Sequence, residues 1–196
     1  MTLKQKLLKQ LYKLIMLKGK LFPLASDAKK TELQVAGLQS FYLLATTANN
    51  GSSVNFADFK GKKIIIVNTA SNCGYTAQYS ELETLYKQYK NKLVVLAFPA
   101  NDFMSQEPEN DKSIAQFCSL NYGISFPIMQ KSSVVKGHNQ NPIFKWLSTD
   151  SYNGWCHQNP TWNFCKYIVD ENGHLTHFFS QNVSPLSPQF INAIEK

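Results

Sequence analysis

The stretch KIIIVNTASNCGYTAQYSELETLYKQYKNKLVVLAFPA, Lys63 to Ala100, decides the fold. It opens on an apolar run that reads as a buried strand. Beyond Cys73 the pattern changes, because Tyr79, Leu82, Leu85 and Tyr89 are spaced along one side of an amphipathic helix. LVVLAFPA is then a second buried strand. A thiol therefore sits at the joint between a strand and a helix, where chains usually place chemistry rather than packing.

Outward from this unit, DKSIAQFCSLNYG and NPIFKWLST read as two further helices. WNFCKYIVDENGHLTHFFS reads as an antiparallel hairpin turning at ENGH, and NNG upstream marks another hairpin. Strand, helix and strand followed by a hairpin predict an α/β domain of the thioredoxin type over residues 41–196. A mixed central sheet is flanked by helices. Residues 21–40, with Pro23, Ser26, Asp27 and Lys29–Lys30, read as a linker. Residues 1–20 predict an extra basic amphipathic helix. Leu3, Leu7, Leu8, Leu11, Leu14 and Ile15 share one broad face, with Lys6, Lys9, Lys13 and Lys20 opposite and Lys4 and Lys18 intruding on the apolar side.

Composition narrows the function. With 43% hydrophobic residues, 13% of all residues being aromatic, a packed core is assured. The formal charge of +7 is confined to the start: residues 1–30 hold eight lysines and one acid, whereas 31–196 hold twelve of each. No residue is arginine, so planar bidentate recognition of phosphate or guanine is missing and a nucleic-acid role is not expected. Lysines interrupt the first helix too often for a signal peptide or a bilayer span. It is read either as a peripheral contact with an anionic membrane or as a helix packed on the domain. Four cysteines without CxxC spacing exclude a disulfide scaffold and a zinc site. A cytoplasmic setting follows, with a peripheral membrane position as the variant.

Cys73 is read as close to a helix N-terminus, where unpaired N–H groups lower a thiol pKa from about 8.5 towards neutrality. Gly74 allows a tight turn and Thr76 is a candidate cap. An inert buried cysteine is the alternative. CGYT lacks the second cysteine of a thioredoxin. Ile66 and Ala70 stand where a typical peroxiredoxin has proline and threonine.

VNTASNCGYT, FPANDFMSQEP, YGISFPIM and TWNFCKYIVDENG, with NPIFKWL before the last, follow the order and spacing of the glutathione peroxidase family. The resemblance runs from about Phe41 to Lys196. It implies a catalytic tetrad of Cys73, Gln106, Trp162 and Asn163, and reduction of hydrogen peroxide and organic or lipid hydroperoxides with no cofactor beyond a reducing co-substrate. The set makes chemical sense: a thiolate attacks one peroxide oxygen, and amide and indole donors stabilise charge without carrying any. The resemblance also implies a resolving cysteine, with Cys118 the candidate, although the plant-like pattern has it one residue later at Ser119. Cys156 is a weaker rival, and Cys165 reads as packing. FPANDF departs from the common FPCNQF. Ala100 removes a thiol, and Asp102 puts a carboxylate near the site.

Only fourteen residues, Ser148 to Thr161, separate KWL from WNF, where tetrameric animal members carry a longer insertion. A monomer or dimer with an open site is expected. Thioredoxin is the expected reductant, because arginine that would clamp glutathione carboxylates is absent. Glutathione itself, or a redox sensor using the same thiols, are the alternatives.

Overall fold

The computed structural model describes residues 1–21, 27–31 and 37–196. A five-stranded sheet runs in the order β1-β7-β6-β4-β5, built from β1 (Ala28–Lys30), β4 (Lys63–Thr69), β5 (Leu93–Pro99), β6 (Lys166–Val169) and β7 (Leu175–Phe179). Strands β4 and β5 are parallel, with Ile65 opposite Val95, and the other pairings among these five strands are antiparallel. The hairpin β2 (Ala45–Thr47) and β3 (Ser53–Asn55) forms a separate two-stranded sheet. Helices α2 (Gln78–Gln88), α3 (Asp111–Tyr122) and α4 (Pro142–Leu147) occupy the three expected segments. This is the mixed, helix-flanked sheet of the thioredoxin-like fold.

Side-chain alternation along β4 divides the core. Ile65 and Val67 point into a cluster with Tyr79, Leu82 and Leu85 of α2 and Ile114 and Cys118 of α3. Ile64 and Ile66 point the other way, towards Phe144 and Trp146 of α4 and towards Tyr167. Both β4 and β5 are buried on both faces; β5 ends the sheet, and its outer side is met by the Pro127–Met129 segment, which bonds to Ala97. Helix α6 (Pro188–Glu195) closes the first face through Phe190, Ala193 and Ile194. The sequence reading did not name it, and the small helix α5 (Asp150–Asn153) was also not anticipated.

The stretch read as a linker is partly structured. Ala28–Lys30 pairs antiparallel with β7, from Ala28 opposite Phe179 to Lys30 opposite His177. A three-residue segment with two lysines is too short and polar to announce a strand, yet those traits suit a sheet edge. Asp27, just before it, is buried and accepts from Ser180 Oγ at 2.6 Å and Asn182 Nδ2 at 3.0 Å. Pro23 and Ser26 lie outside the described residues. The N-terminal segment is helical, α1 (Leu3–Leu21), and rests on the domain through Tyr12, whose hydroxyl donates to Glu81 Oε1 at 2.7 Å.

Lys166 is fully buried at the start of β6, its Nζ donating to Gln78 Oε1 at 2.9 Å and to the Val183 carbonyl at 2.6 Å. Burial pulls its pKa down to about 7. The unfolded lysine keeps its ordinary pKa, so between about pH 7 and 10 the unfolded chain binds more protons and folding strengthens as pH rises. Relative to Lys166→Met, wild-type stability should gain up to about 1.4 kcal/mol per pH unit across that window. Denaturant midpoints of both chains at pH 7 and pH 9 read this slope. Parallel pH dependence in the two chains would show that Lys166 stays charged.

Candidate active site

Strand β4 ends at Thr69, and the chain enters the Ser71–Ala77 turns before α2 begins at Gln78. Cys73 lies in these turns, in the loop between strand and helix as the sequence indicates, five residues ahead of Gln78. The cap reading of Thr76 is corrected, because Ala77 is the N-cap residue and makes no side-chain cap. The Thr76 hydroxyl instead accepts from the Cys73 N–H at 3.1 Å and lies within 2.9 Å of the Ala70 carbonyl, holding the turn closed around the thiol.

The sulfur is buried, with 1% of the residue exposed. Burial pushes the Cys73 thiol up, contrary to the depression expected from a helix N-terminus. Opposing burial are the Tyr75 N–H, 3.5 Å from Sγ, then the Trp162 indole and the Asn163 amide, and last the Gly74 N–H. Two of the three partners that the resemblance names, Trp162 and Asn163, therefore act on the sulfur. Asn163 Nδ2 also donates to Gln106 Oε1 at 3.0 Å, which orients the Gln106 amide while leaving its Nε2 without an acceptor among the described residues. Asn163 Oδ1 is buried and has no hydrogen-bond partner among the described residues. Trp162 is half-buried, its ring 5.8 Å from that of Phe103.

Two loops deliver these groups, both with backbone that ordinary residues adopt at a cost. Met104 and Ser105, immediately before Gln106, have φ of 51° and 52°, and Phe164, immediately after Asn163, has φ of 69°. Each such non-glycine conformation costs about 1 kcal/mol or more, and tertiary contacts must hold it. Asn68 in β4 does so for the second loop. Its Nδ2 donates to the Trp162 carbonyl at 2.9 Å, and its Oδ1 accepts from the Cys165 N–H at 3.0 Å. Glu107 does so for the first loop: it is buried, accepts from Ser71 Oγ at 2.9 Å, and its N–H donates to Asn101 Oδ1 at 2.9 Å. Burial raises its pKa to about 7. Neither Asn68 nor Glu107 was singled out from the sequence. The signal available for Asn68 was a polar residue inside an otherwise apolar run.

The remaining thiols separate by face. Cys118 lies on the buried side of α3 with Ile114 and shares the cluster that contains Cys73. Burial pushes its pKa up to about 12, against a hydrogen bond with Tyr79. Cys156 and Cys165 belong to the cluster on the opposite face of the sheet. Asp102 is exposed and accepts from the Val134 N–H at 2.7 Å, so its carboxylate anchors a loop, and it is not among the groups that act on Cys73.

Replacing Trp162 with phenylalanine keeps the ring and removes the indole N–H. The Cys73 thiol should titrate higher, so the pH profile for its first reaction with hydrogen peroxide shifts to the alkaline side. About tenfold of the rate at neutral pH should be lost, the effect of roughly one pKa unit. Single-turnover kinetics against pH measure it. An unshifted profile would remove the indole from the set of donors.

With this geometry in view, similarity to known proteins is informative. Residues 41–148 match the family model for glutathione peroxidase. The glutathione peroxidase-like peroxiredoxin GPX5 of Chlamydomonas reinhardtii is 45% identical over 148 residues, covering 75% of this chain and 90% of that protein. The crystal structure of Trgpx in its apo form superposes with a TM-score of 0.62 at 29% identity, over 82% of this chain and 98% of that one. A DsbF homologue from Corynebacterium diphtheriae, with a TM-score of 0.61 at 16% identity over 88% of this chain and 94% of its own, shares the fold alone. The family match over more than half the chain, and the extent of the relatives' similarity, establish that this chain belongs to the glutathione peroxidase family.

Proposed function

We propose that the chain is a thiol peroxidase in which Cys73 reduces hydrogen peroxide and organic or lipid hydroperoxides. The observation that carries this is the convergence on one buried sulfur of the Trp162 indole, the Asn163 amide and two backbone N–H groups, with Gln106 held beside them by Asn163. Uncharged donors stabilise the thiolate and then the charge developing on the departing oxygen. The Cys73 thiolate attacks the terminal peroxide oxygen, the O–O bond breaks, and the alkoxide takes a proton to leave as alcohol. The cysteine becomes a sulfenic acid. The electrons come from a thiol co-substrate, so no resident cofactor or metal is needed.

For the return step, Cys118 is the candidate because it shares a face of the sheet with Cys73, whereas Cys156 and Cys165 do not. Its thiolate displaces hydroxide from the sulfenic sulfur to form a Cys73–Cys118 disulfide, which a dithiol protein such as thioredoxin opens. Cys118 is buried on α3, and the disulfide requires its Cα to stand within about 7 Å of that of Cys73. It is four residues from the end of α3, which stops at Gly123 with φ of 60°, so opening the last turn frees it. The short Ser148–Thr161 connection suits a monomer or dimer with a site open to a protein reductant in a reducing, cytoplasmic compartment.

Peroxide consumption coupled to thioredoxin and its reductase tests this. Wild type should turn over repeatedly, Cys73→Ser should do nothing, and Cys118→Ser should consume about one equivalent and stop. Normal turnover by Cys118→Ser would overturn the resolving role. Turnover sustained equally well by glutathione would replace the thioredoxin route. A single oxidation without turnover in wild type would favour a redox sensor.

A further inference from the structure

The two faces of α1 have opposite environments. The inner face is seated on the domain: Tyr12 is buried against Glu81, Gln5 Nε2 donates to Asn72 Oδ1 at 2.9 Å, and the Met1 amino group donates to Asn121 Oδ1 at 3.1 Å. Ile15 packs so closely on Gly74 that a Cβ there would meet its Cδ1 at 3.1 Å. Asn72 and Gly74 flank Cys73, so this face of α1 lies across the loop that carries the reactive thiol.

The outer face has no such partner among the described residues. Leu3, Leu7, Leu11, Leu14 and Leu17 are all exposed, Leu3 to 85% and Leu14 to 64%. The helical rise lays them out in one row about 21 Å long. The sequence reading put Leu8 and Ile15 on the same face as these leucines. In the structure both are half-buried, leaving the five leucines as the exposed apolar residues of that face. By the helical repeat Lys4 and Lys18 fall among the leucines and Lys6, Lys9 and Lys13 lie to one side; all five are exposed, and α1 contains no acidic residue. Lys6, Lys9 and Lys13 also line an open groove of about 680 Å³ between α1 and α2, together with Ser80 and Glu81.

A row of exposed leucines calls for a cover. A second copy of the same helix is a poor one, because apposed stripes bring lysine rows together with no carboxylate in α1 to meet them. No described helix is long and apolar enough to cross a bilayer. An anionic lipid surface satisfies both parts, since leucines enter the acyl boundary while lysines reach the headgroups. We propose that α1 docks the protein peripherally on an anionic membrane through its leucine stripe, with its inner face retained on the Asn72–Gly74 loop. The thiol loop then sits one helix diameter, about 10 Å, from the headgroups.

Co-sedimentation of the full chain with vesicles tests this independently of peroxidase activity. Wild type should bind vesicles of phosphatidylcholine with phosphatidylserine at low salt, release at high salt, and leave pure phosphatidylcholine largely unbound. Lys6→Gln/Lys13→Gln should bind about thirtyfold more weakly, the factor expected for two lysines at a charged surface. Leu7→Glu/Leu11→Glu/Leu14→Glu should lose binding, while circular dichroism and the reaction of Cys73 with hydrogen peroxide stay at wild-type values. No wild-type binding at low salt, or equal binding by the leucine variant, would overturn the proposal. So would a solution dimer that the leucine substitutions dissociate, because a second copy would then cover the stripe.

Discussion

Four hydrogen bonds around Asn68 tie the strand that leads to Cys73 to the segment that supplies its donors. The side chain accepts from the Cys165 N–H and donates to the Trp162 carbonyl, while its backbone accepts from Phe164 and donates to Cys165. Asn68 is fully buried, so its side chain bonds with little competition from water, least of all at the buried Cys165 N–H. The clamp turns the chain at Phe164 against its φ preference and aims the Trp162 and Asn163 side chains back towards the sulfur. Leaving one such buried group unpaired costs about 1–3 kcal/mol, comparable to the strain it restrains.

The site is a balance between two electrostatic demands. Burial disfavours the thiolate, and the convergent N–H donors favour it. A cationic neighbour would settle the balance in favour of the thiolate more strongly. Among the described residues the groups that act on Cys73 are uncharged donors, which in the reaction proposed above would remain available for the negative charge that moves from sulfur to oxygen. Glu107 supports the other wall through Ser71 and Asn101. Its carboxyl, raised to about pH 7 by burial, serves the loop before it serves any proton.

Much of this was legible in the sequence, for physical reasons. Apolar runs such as Lys63–Thr69 and Leu93–Pro99 show their burial directly, and the turn at Glu171–His174 announces the hairpin β6–β7. The tetrad positions came from motif resemblance; Trp162 and Asn163 act on the Cys73 sulfur, and Gln106 is bonded to Asn163. What escaped depends on partners distant in sequence. β1 is a strand only because β7 offers an edge. Asn68 matters only because Trp162 and Cys165 arrive beside it. The direction of the Cys73 pKa was misjudged because helix proximity is readable from spacing whereas depth of burial is not. The division of α1 into a seated face and a leucine stripe follows from Tyr12 finding Glu81, which periodicity alone could not select.

The central claim is that Cys73 is the atom that meets peroxide. Its most direct test is to expose the reduced full chain to one equivalent of hydrogen peroxide with a sulfenic-acid trap present, and to map the modified peptide by mass spectrometry. The account predicts oxidation at Cys73, seen as the trapped sulfenic acid or as a disulfide that includes Cys73, with Cys156 and Cys165 left as thiols. First oxidation at any other cysteine, or none at Cys73, would contradict it.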